Sequence, residues 1–174
     1  IVKRHVVTDS LILHPRHQKQ IPMISGDPLG WLSDGAKKIA TSSLRRSMIL
    51  HHINPQIECV QIRGNVDTRL SKLRNSNDWD ATILASASLE RLGLHEDVAA
   101  VELPVAMMIP CAGQGALAIE CRQGSAFGQI AAELLEDRSS RMRIAIERRI
   151  LERLGGDCTM PCGVHVDIKN DGNI

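Results

Sequence analysis

The stretch Lys38-Ile-Ala-Thr-Ser-Ser-Leu-Arg-Arg46 joins a short apolar run to two hydroxyl side chains and two adjacent arginines. This order predicts a strand, a turn and the start of a helix, with Ser42 or Ser43 as the N-cap. The first turn of a helix presents free backbone N–H groups, and the planar arginine fork suits a carboxylate or a phosphate. The stretch therefore indicates an anion site, although a simple cap followed by solvated arginines would explain the same residues.

The same unit repeats twice further along the chain. A β-rich run, a turn with a hydroxyl or glycine and a helical stretch recur, which is typical of an α/β fold with a mainly parallel sheet. Ligands of such sheets bind beyond the carboxyl ends of the strands. The predicted strands cover residues 38–41, 58–62 and 81–85, and the helices that follow begin near Ser43, Asp67 and Ser86.

Arginines follow each of these predicted strands. Arg63-Gly-Asn-Val-Asp-Thr-Arg69 carries two of them around a glycine, and Arg91 follows the third strand. Together with Arg45 and Arg46 they are expected at one edge of the sheet. Because one guanidinium binds one carboxylate well, this repetition predicts a ligand with several carboxylates.

Composition excludes several function classes. The 174 residues carry a formal net charge of +1, no Tyr, one Phe and two Trp. A chain with so little excess charge and so few aromatic rings is not expected to bind nucleic acid. No apolar run is long enough to span a bilayer, so no membrane association is expected. The five scattered cysteines indicate a reducing compartment, the cytoplasm.

The remaining segments are simpler. A strand is expected over residues 9–15, a loop with at most one helical turn over 16–35, a glycine hinge at Gly113-Gln-Gly115 and a further strand over 116–120. Helical periodicity predicts helices over 126–135 and from about residue 140 to Leu154, and alternation predicts a last strand over 163–168.

Cys158 lies in a loop after the glycines that are expected to end the last helix. Its thiol could attach a cofactor, act as a nucleophile or be structural. Cys158, Cys162 and His165 have a spacing that invites a zinc site, but three ligands without a second cluster make a poor one. No metal is therefore predicted.

Several motifs, in this order, resemble the porphobilinogen deaminases, also called hydroxymethylbilane synthases. The resemblance covers nearly the whole chain. The matching stretches are Thr41-Ser-Ser-Leu-Arg-Arg46, Arg63-Gly-Asn-Val-Asp-Thr-Arg-Leu-Ser-Lys-Leu73, Asp80-Ala-Thr-Ile-Leu-Ala85, Arg91-Leu-Gly-Leu94, Gly113-Gln-Gly-Ala116, Ile119-Glu-Cys-Arg122 and Glu147-Arg148 before Cys158.

The resemblance implies a transferase of tetrapyrrole and heme biosynthesis that condenses four porphobilinogen units with release of ammonia. Cys158 would carry a dipyrromethane cofactor through a thioether. Ser43, Arg45, Arg46 and Arg69 would bind this cofactor. The residues implied for substrate binding, to porphobilinogen and the growing oligopyrrole, are Arg63, Arg69, Arg91 and Gln114.

The resemblance also implies a domain plan, with periplasmic-binding-protein-like architecture for the main domain. Residues 1–8 would end domain 1, 9–104 form domain 2, 105–136 return to domain 1, and 137–174 begin a small α+β C-terminal domain with the cofactor loop. The family's catalytic aspartate belongs to an N-terminal domain with no counterpart in these residues. The chain is thus expected to be an inactive fragment of an enzyme that is a monomer when full length.

Four positions depart from the family pattern. Asp157 replaces a glycine beside Cys158, Met160 and Cys162 replace aliphatic residues, and Ser88 replaces a glycine. A different class of function also fits the arginines: a non-catalytic dicarboxylate-binding module of periplasmic-binding-protein type. Such a module would bind a small dicarboxylate reversibly, without any covalent pyrrole.

Overall fold

A computed structural model describes residues 1–94, 97–156 and 160–168 of the chain. Five strands form one sheet, and seven α-helices and one 3₁₀ helix are present in the described part. The strands are β1 Asp9–Leu13, β2 Lys37–Ala40, β3 Ile57–Val60, β4 Ala81–Ala85 and β5 Ala100–Leu103. The α-helices are α1 Ile21–Gly26, α2 Pro28–Ser33, α3 Leu44–Ile53, α4 Val66–Arg74, α5 Ser86–Arg91, α6 Ala126–Leu135 and α7 Arg138–Arg153, and the 3₁₀ helix covers Pro15–Gln20.

The sheet is mixed, with the strand order β3-β2-β4-β1-β5. The fold is α/β as predicted, and four of the five strands run in the same direction, with β1 as the exception. β2 runs parallel to β3 and β4, whereas β1 is antiparallel to both β4 and β5. Because β1 runs in the opposite direction, its first residue, Asp9, pairs with Ala85 at the end of β4. A buried carboxylate therefore lies at the edge where the parallel strands end.

Apolar side chains cover both faces of the sheet. Successive residues of β1 point to opposite faces, so Leu11 and Leu13 enter one core cluster and Ile12 enters the other. The first cluster includes Leu50 of α3, and the second includes Leu73 of α4. All of these side chains are at most 2% exposed, so the sheet is a rigid platform for the residues at its edge.

Most elements predicted from periodicity are confirmed. The strand over 81–85 and the helix over 126–135 have the predicted bounds, and the long C-terminal helix covers Arg138–Arg153. The strand predicted over residues 9–15 ends at Leu13, because Pro15 starts the 3₁₀ helix.

Three expectations about secondary structure are wrong. The predicted loop over residues 16–35 contains the 3₁₀ helix and the short helices α1 and α2, each with a proline in its first turn. Residues 116–120 and 163–168 form no strand. Instead, residues 115 and 117 accept isolated hydrogen bonds from the N-terminal segment, from His5 N at 3.0 Å and Val2 N at 3.3 Å.

No helix in the described part of the chain is both long enough and apolar enough to cross a membrane.

Candidate functional site

The turn after β2 is built by two adjacent serines with different tasks. Ser43 is the N-cap of α3, and its Oγ accepts a hydrogen bond from Arg46 N at 3.4 Å. Ser42 Oγ donates to Ile62 O at 2.5 Å and accepts from Ile62 N at 3.0 Å. The first serine thereby joins the ends of two neighbouring parallel strands, and the second directs the start of the helix toward the sheet edge.

A cavity of about 380 Å³ opens at this edge. It brings the turn after β2 together with the Gly113-Gln-Gly115 turn and the beginning of the segment 160–168. Its lining residues are Ser42, Ser43, Leu44, Arg45, Arg46, Cys111, Gln114, Met160 and Cys162.

Both arginines of the first turn of α3 bind the carboxylate of Asp9. Arg45 Nη2 donates to Asp9 Oδ2 at 2.8 Å, and Arg46 Nη2 donates to Asp9 Oδ1 at 2.7 Å. The Asp9 side chain is fully buried, and those of Arg45 and Arg46 are 4% and 11% exposed. Since a buried charge needs a partner, this triad holds the two guanidinium groups in fixed positions.

Gln114 completes the cluster from the other side. Its Nε2 donates to Asp9 Oδ1 at 3.0 Å and to Val7 O at 2.7 Å, while its Oε1 accepts from Arg45 Nη2 at 3.3 Å. The flanking glycine Gly115 has φ +80, and a Cβ there would lie 2.3 Å from Val6 O. The glycine thus permits the close approach that places Gln114 in the cavity.

Arg45 and Arg46 differ in the number of hydrogen bonds that their guanidinium groups make. Arg45 also donates to Ile109 O at 2.5 Å, so three contacts hold its fork. Within the described residues, the Arg46 guanidinium makes two contacts, to Asp9 and to Ile83 O at 3.0 Å. Both Nε atoms are buried and have no hydrogen-bond partner among the described residues. Asp9 neutralises one of the two positive charges, so the cavity retains one positive charge and unused N–H donors for an anion.

The other predicted arginines do not line this cavity. Arg63 and Arg91 are exposed, and Arg91 is the last residue of α5. Arg69 is half-buried, and its Nε donates to Gly64 O at 2.8 Å within its own turn. Arg63 directly follows Ile62, whose backbone N–H is hydrogen-bonded to the cavity-lining Ser42. Of the three arginines, it is therefore the one whose backbone is next to a residue bonded to the cavity lining.

The predicted attachment residue Cys158, together with Asp157, lies outside the described residues. Two of the other positions that depart from the family pattern, Met160 and Cys162, line the cavity. Ser88 is half-buried within α5. Across the described ranges, no group of three or more His, Cys, Asp or Glu side chains could hold a metal ion.

A second buried carboxylate connects four segments behind the cavity. Glu147 of α7 binds Arg4 through two hydrogen bonds of 2.7 and 2.9 Å and accepts from Gly113 N at 2.8 Å and Val166 N at 3.0 Å. Burial alone would raise the pKa of Glu147, but these donors and the Arg4 charge outweigh it and hold the pKa below its usual value. The carboxylate is therefore ionised and fixes the Gly113 turn against α7.

Sequence reasoning missed the roles of Asp9, Arg4 and Glu147. A signal for Asp9 was present, because it opens the buried run Ser10-Leu-Ile-Leu13, and a charged residue at such a place needs a charged partner. Glu147 stands three residues after Ile144, a spacing that places both side chains on the buried face of α7.

Comparison with known proteins bears on the same residues. The family model described as "Porphobilinogen deaminase, dipyromethane cofactor binding domain" matches residues 1–128. Curated relatives named porphobilinogen deaminase include those of Nitratiruptor sp., 38% identical over 100% of this chain and 52% of the relative, and of Brevibacillus brevis, 38% identical over 86% and 47%. A relative from Campylobacter hominis is 42% identical over 80% of the chain and 45% of its own length. The chain spans about half the length of these relatives.

Proposed function

The chain belongs to the porphobilinogen deaminase family, and on that premise we propose that it forms the part of a hydroxymethylbilane synthase that holds the cofactor and the growing pyrrole chain. The whole enzyme would be a transferase of tetrapyrrole and heme biosynthesis. It would condense four porphobilinogen units with release of ammonia.

The observation that carries this proposal is the buried triad of Asp9, Arg45 and Arg46 beside a cavity of about 380 Å³. A dipyrromethane bears acetate and propionate side chains, which are carboxylates at neutral pH. The residues present fit such a group, since the cavity retains one positive charge and two buried Nε donors without a partner among the described residues. When bound, the dipyrromethane supplies the pyrrole ring that the first substrate unit extends.

The roles of the two arginines follow from their contacts. Arg46 has the larger exposed fraction and fewer contacts, so it would bind the carboxylate directly. Arg45 is held by Asp9, Ile109 O and Gln114 and would act as the fixed positive charge behind it. Ser43 would keep the N-terminus of the ten-residue helix α3 directed toward the anion.

The remaining site residues keep the roles that the family implies. Cys158 would carry the cofactor through a thioether, and Arg69 would contact the same group. Arg63, Arg69 and Arg91 would bind the carboxylates of porphobilinogen and of the growing chain, which extends beyond the cavity as it lengthens. Gln114 would orient Arg45 and contact the substrate from the interdomain turn.

We further propose the domain plan 1–8, 9–104, 105–136 and 137–174. All five strands lie between Asp9 and Leu103, which supports residues 9–104 as one domain.

Pyrrole coupling needs a carboxylate that transfers protons at the leaving amine, and we place that aspartate outside these 174 residues. Residues 1–174 alone would then bind substrate without turning it over. Four free thiols among the described residues support a reducing, cytoplasmic location. We propose that the full-length enzyme is a monomer.

Mass spectrometry of the chain tests whether the dipyrromethane is covalently attached to Cys158. The chain is produced in cells that synthesise porphobilinogen, and its intact mass and Cys158 peptide are measured. The proposal predicts a dipyrromethane adduct on that peptide, absent from the Cys158→Ser variant. A full-length relative that carries the adduct while this chain stays unmodified would limit the proposal to non-covalent binding. Reversible binding of simple dicarboxylates, with no affinity for pyrroles, would instead support the dicarboxylate-binding module.

A further inference from the structure

We propose that Cys111 and Cys162 form a thiol pair that hydroperoxides oxidise to a disulfide across the mouth of the arginine cavity. This goes beyond the proposed function, which uses neither thiol. Both side chains line the cavity that contains Arg45 and Arg46, and both are free thiols. Cys111 is exposed and Cys162 is half-buried, so a small oxidant can reach them from solvent.

The backbones that carry the two cysteines run side by side. Val164 N donates to Pro110 O at 2.8 Å, so residues close to Cys111 and Cys162 in the chain are already hydrogen-bonded to each other. A Cβ on Gly163 would lie 2.8 Å from Ile109 Cβ, which means that the two segments are in tight contact. A disulfide requires two Cα atoms within about 7 Å of each other, so the segments that carry Cys111 and Cys162 must stay in contact when the bond forms.

One of these thiols is connected to the arginines through a hydrogen bond to Gln114. Cys111 Sγ donates to Gln114 Oε1 at 3.5 Å, and the same oxygen accepts from Arg45 Nη2 at 3.3 Å. Among the described residues, Cys162 Sγ makes one long contact, 3.7 Å to Gly163 O. Within that part of the chain, neither thiol makes a strong interaction that oxidation would have to break.

The chemistry is a two-electron oxidation with hydrogen peroxide as the oxidant. One thiolate attacks a peroxide oxygen, the O–O bond breaks, and a sulfenic acid and the first water form. The second thiol then attacks the sulfenic sulfur, forms the S–S bond and releases the second water. Two thiols and one peroxide thus give one disulfide and two waters.

The disulfide would have a defined structural effect. It would cross-link the segment after β5 to the segment 160–168 over the entrance to Arg45 and Arg46. A carboxylate ligand would then lose access to the cavity, and a thiol reductant would restore it. The reduced pair is the open form that the structure shows.

Disulfide mapping of the complete chain tests the proposal. The purified chain is treated with hydrogen peroxide, free thiols are blocked, and peptides are identified without reduction. A peptide pair that links Cys111 to Cys162 and disappears after dithiothreitol is the expected result. Sulfinic acid on either residue without this link, or a link from either residue to Cys158, would overturn the proposal.

Matched variants separate this pair from the other thiols. Cys111→Ser and Cys162→Ser should each abolish the link, while Cys59→Ser and Cys121→Ser should retain it. Cys59 is partly buried on β3, and burial raises the pKa of its thiol, whereas Cys121 lines a different cavity beside Ile1. Loss of the link in Cys59→Ser or Cys121→Ser would show that the assignment of the pair is wrong. The mapping needs no cofactor and no turnover, so its result is independent of the proposed function.

Discussion

Asp9, the first residue of β1, and Arg45, in the first turn of α3, are joined by a side-chain hydrogen bond of 2.8 Å although 36 residues separate them in the chain. Both side chains are at most 4% exposed. The contact exists because β1 is antiparallel to β4, which brings its first residue to the edge where β2 and β4 end. The direction of one strand therefore decides whether the arginines have a counter-ion.

Removing this counter-ion should destabilise the fold strongly. Asp9→Ala leaves the buried Arg45 guanidinium without its carboxylate, and breaking a buried pair in this way costs about 3–5 kcal/mol. Equilibrium urea unfolding measures the change. Asp78→Ala is the matched control, since its carboxylate pairs with Lys38 but is 69% exposed, and it should change the unfolding free energy by less than about 1 kcal/mol. Similar losses in both variants would show that burial of the triad is energetically unimportant.

The Arg4 and Glu147 pair should show strong coupling. A double-mutant cycle with Arg4→Met and Glu147→Gln is expected to give an interaction energy of about 1–3 kcal/mol, because the two side chains are 6% and 0% exposed and share two hydrogen bonds. The same cycle on Arg149 and Glu152, exposed by 69% and 61%, should give about 0.5 kcal/mol or less. Equal coupling in the two cycles would contradict this expectation.

Stability should fall in mild acid through two named carboxyls. Folding lowers the pKa of Glu147 and of Asp80; burial opposes both shifts, and hydrogen bonds and positive charges outweigh it. A group whose pKa is lowered by folding contributes stability above its unfolded pKa, and that contribution is lost as the pH falls through the folded pKa. Unfolding free energy should thus decrease from about pH 5 downward.

Single variants test which carboxyl groups cause this pH dependence of stability. Glu147→Gln and Asp80→Asn should each flatten the curve of unfolding free energy against pH on its acid side. Asp137 would be a poor control, since hydrogen bonds from Ser140 also lower its pKa. Glu133→Gln is a better one, because its side chain is exposed and enters no ion pair within the described residues. An unchanged acid slope in Glu147→Gln would exclude that residue as a source.

The Gly64 turn between two predicted arginines should tolerate no side chain. Gly64 has φ +123, and a Cβ there would lie 2.6 Å from Thr68 Cγ2. Gly64→Ala is expected to cost about 1–3 kcal/mol, the range for a residue held in such a backbone region. Gly93→Ala is the comparison, since Gly93 has φ +66 with open space around it, and it should cost less. Unfolding by urea distinguishes the two, and the reverse order would be inconsistent with this geometry.

Local patterns predict the elements well where one period dominates. The strand over 81–85 is a short, almost fully buried run, the helix over 126–135 has an apolar helical period, and the predicted bounds of both are correct. β5 was missed although β2 and β3 are equally short, because Pro104 follows it directly and the turn with a hydroxyl or glycine that marks the other units is absent there. α1 and α2 were missed because proline and glycine punctuation at Pro22 and Pro28 is typical of a loop, although proline is favourable in the first turn of a helix.

The candidate site was only partly predictable for a similar reason. Ser43, Arg45 and Arg46 stand in one turn, so their meeting follows from local structure. The contacts of Asp9 and Gln114 join residues far apart in the chain and depend on strand order and direction, which propensity does not determine. The expected clustering of Arg63, Arg69 and Arg91 assumed side chains that all reach one cavity, whereas none of the three lines it.

Equilibrium titration with a synthetic dipyrromethane that bears acetate and propionate groups tests the central claim most directly. We expect saturable binding of one molecule per chain, weakened about tenfold or more in Arg46→Gln, which corresponds to a loss of about 1.4 kcal/mol. Arg74→Gln, on a different cavity, should bind as the original chain does. Equal affinity in all three proteins, or no binding to the folded original chain, would contradict the assignment of this cavity to the cofactor carboxylates.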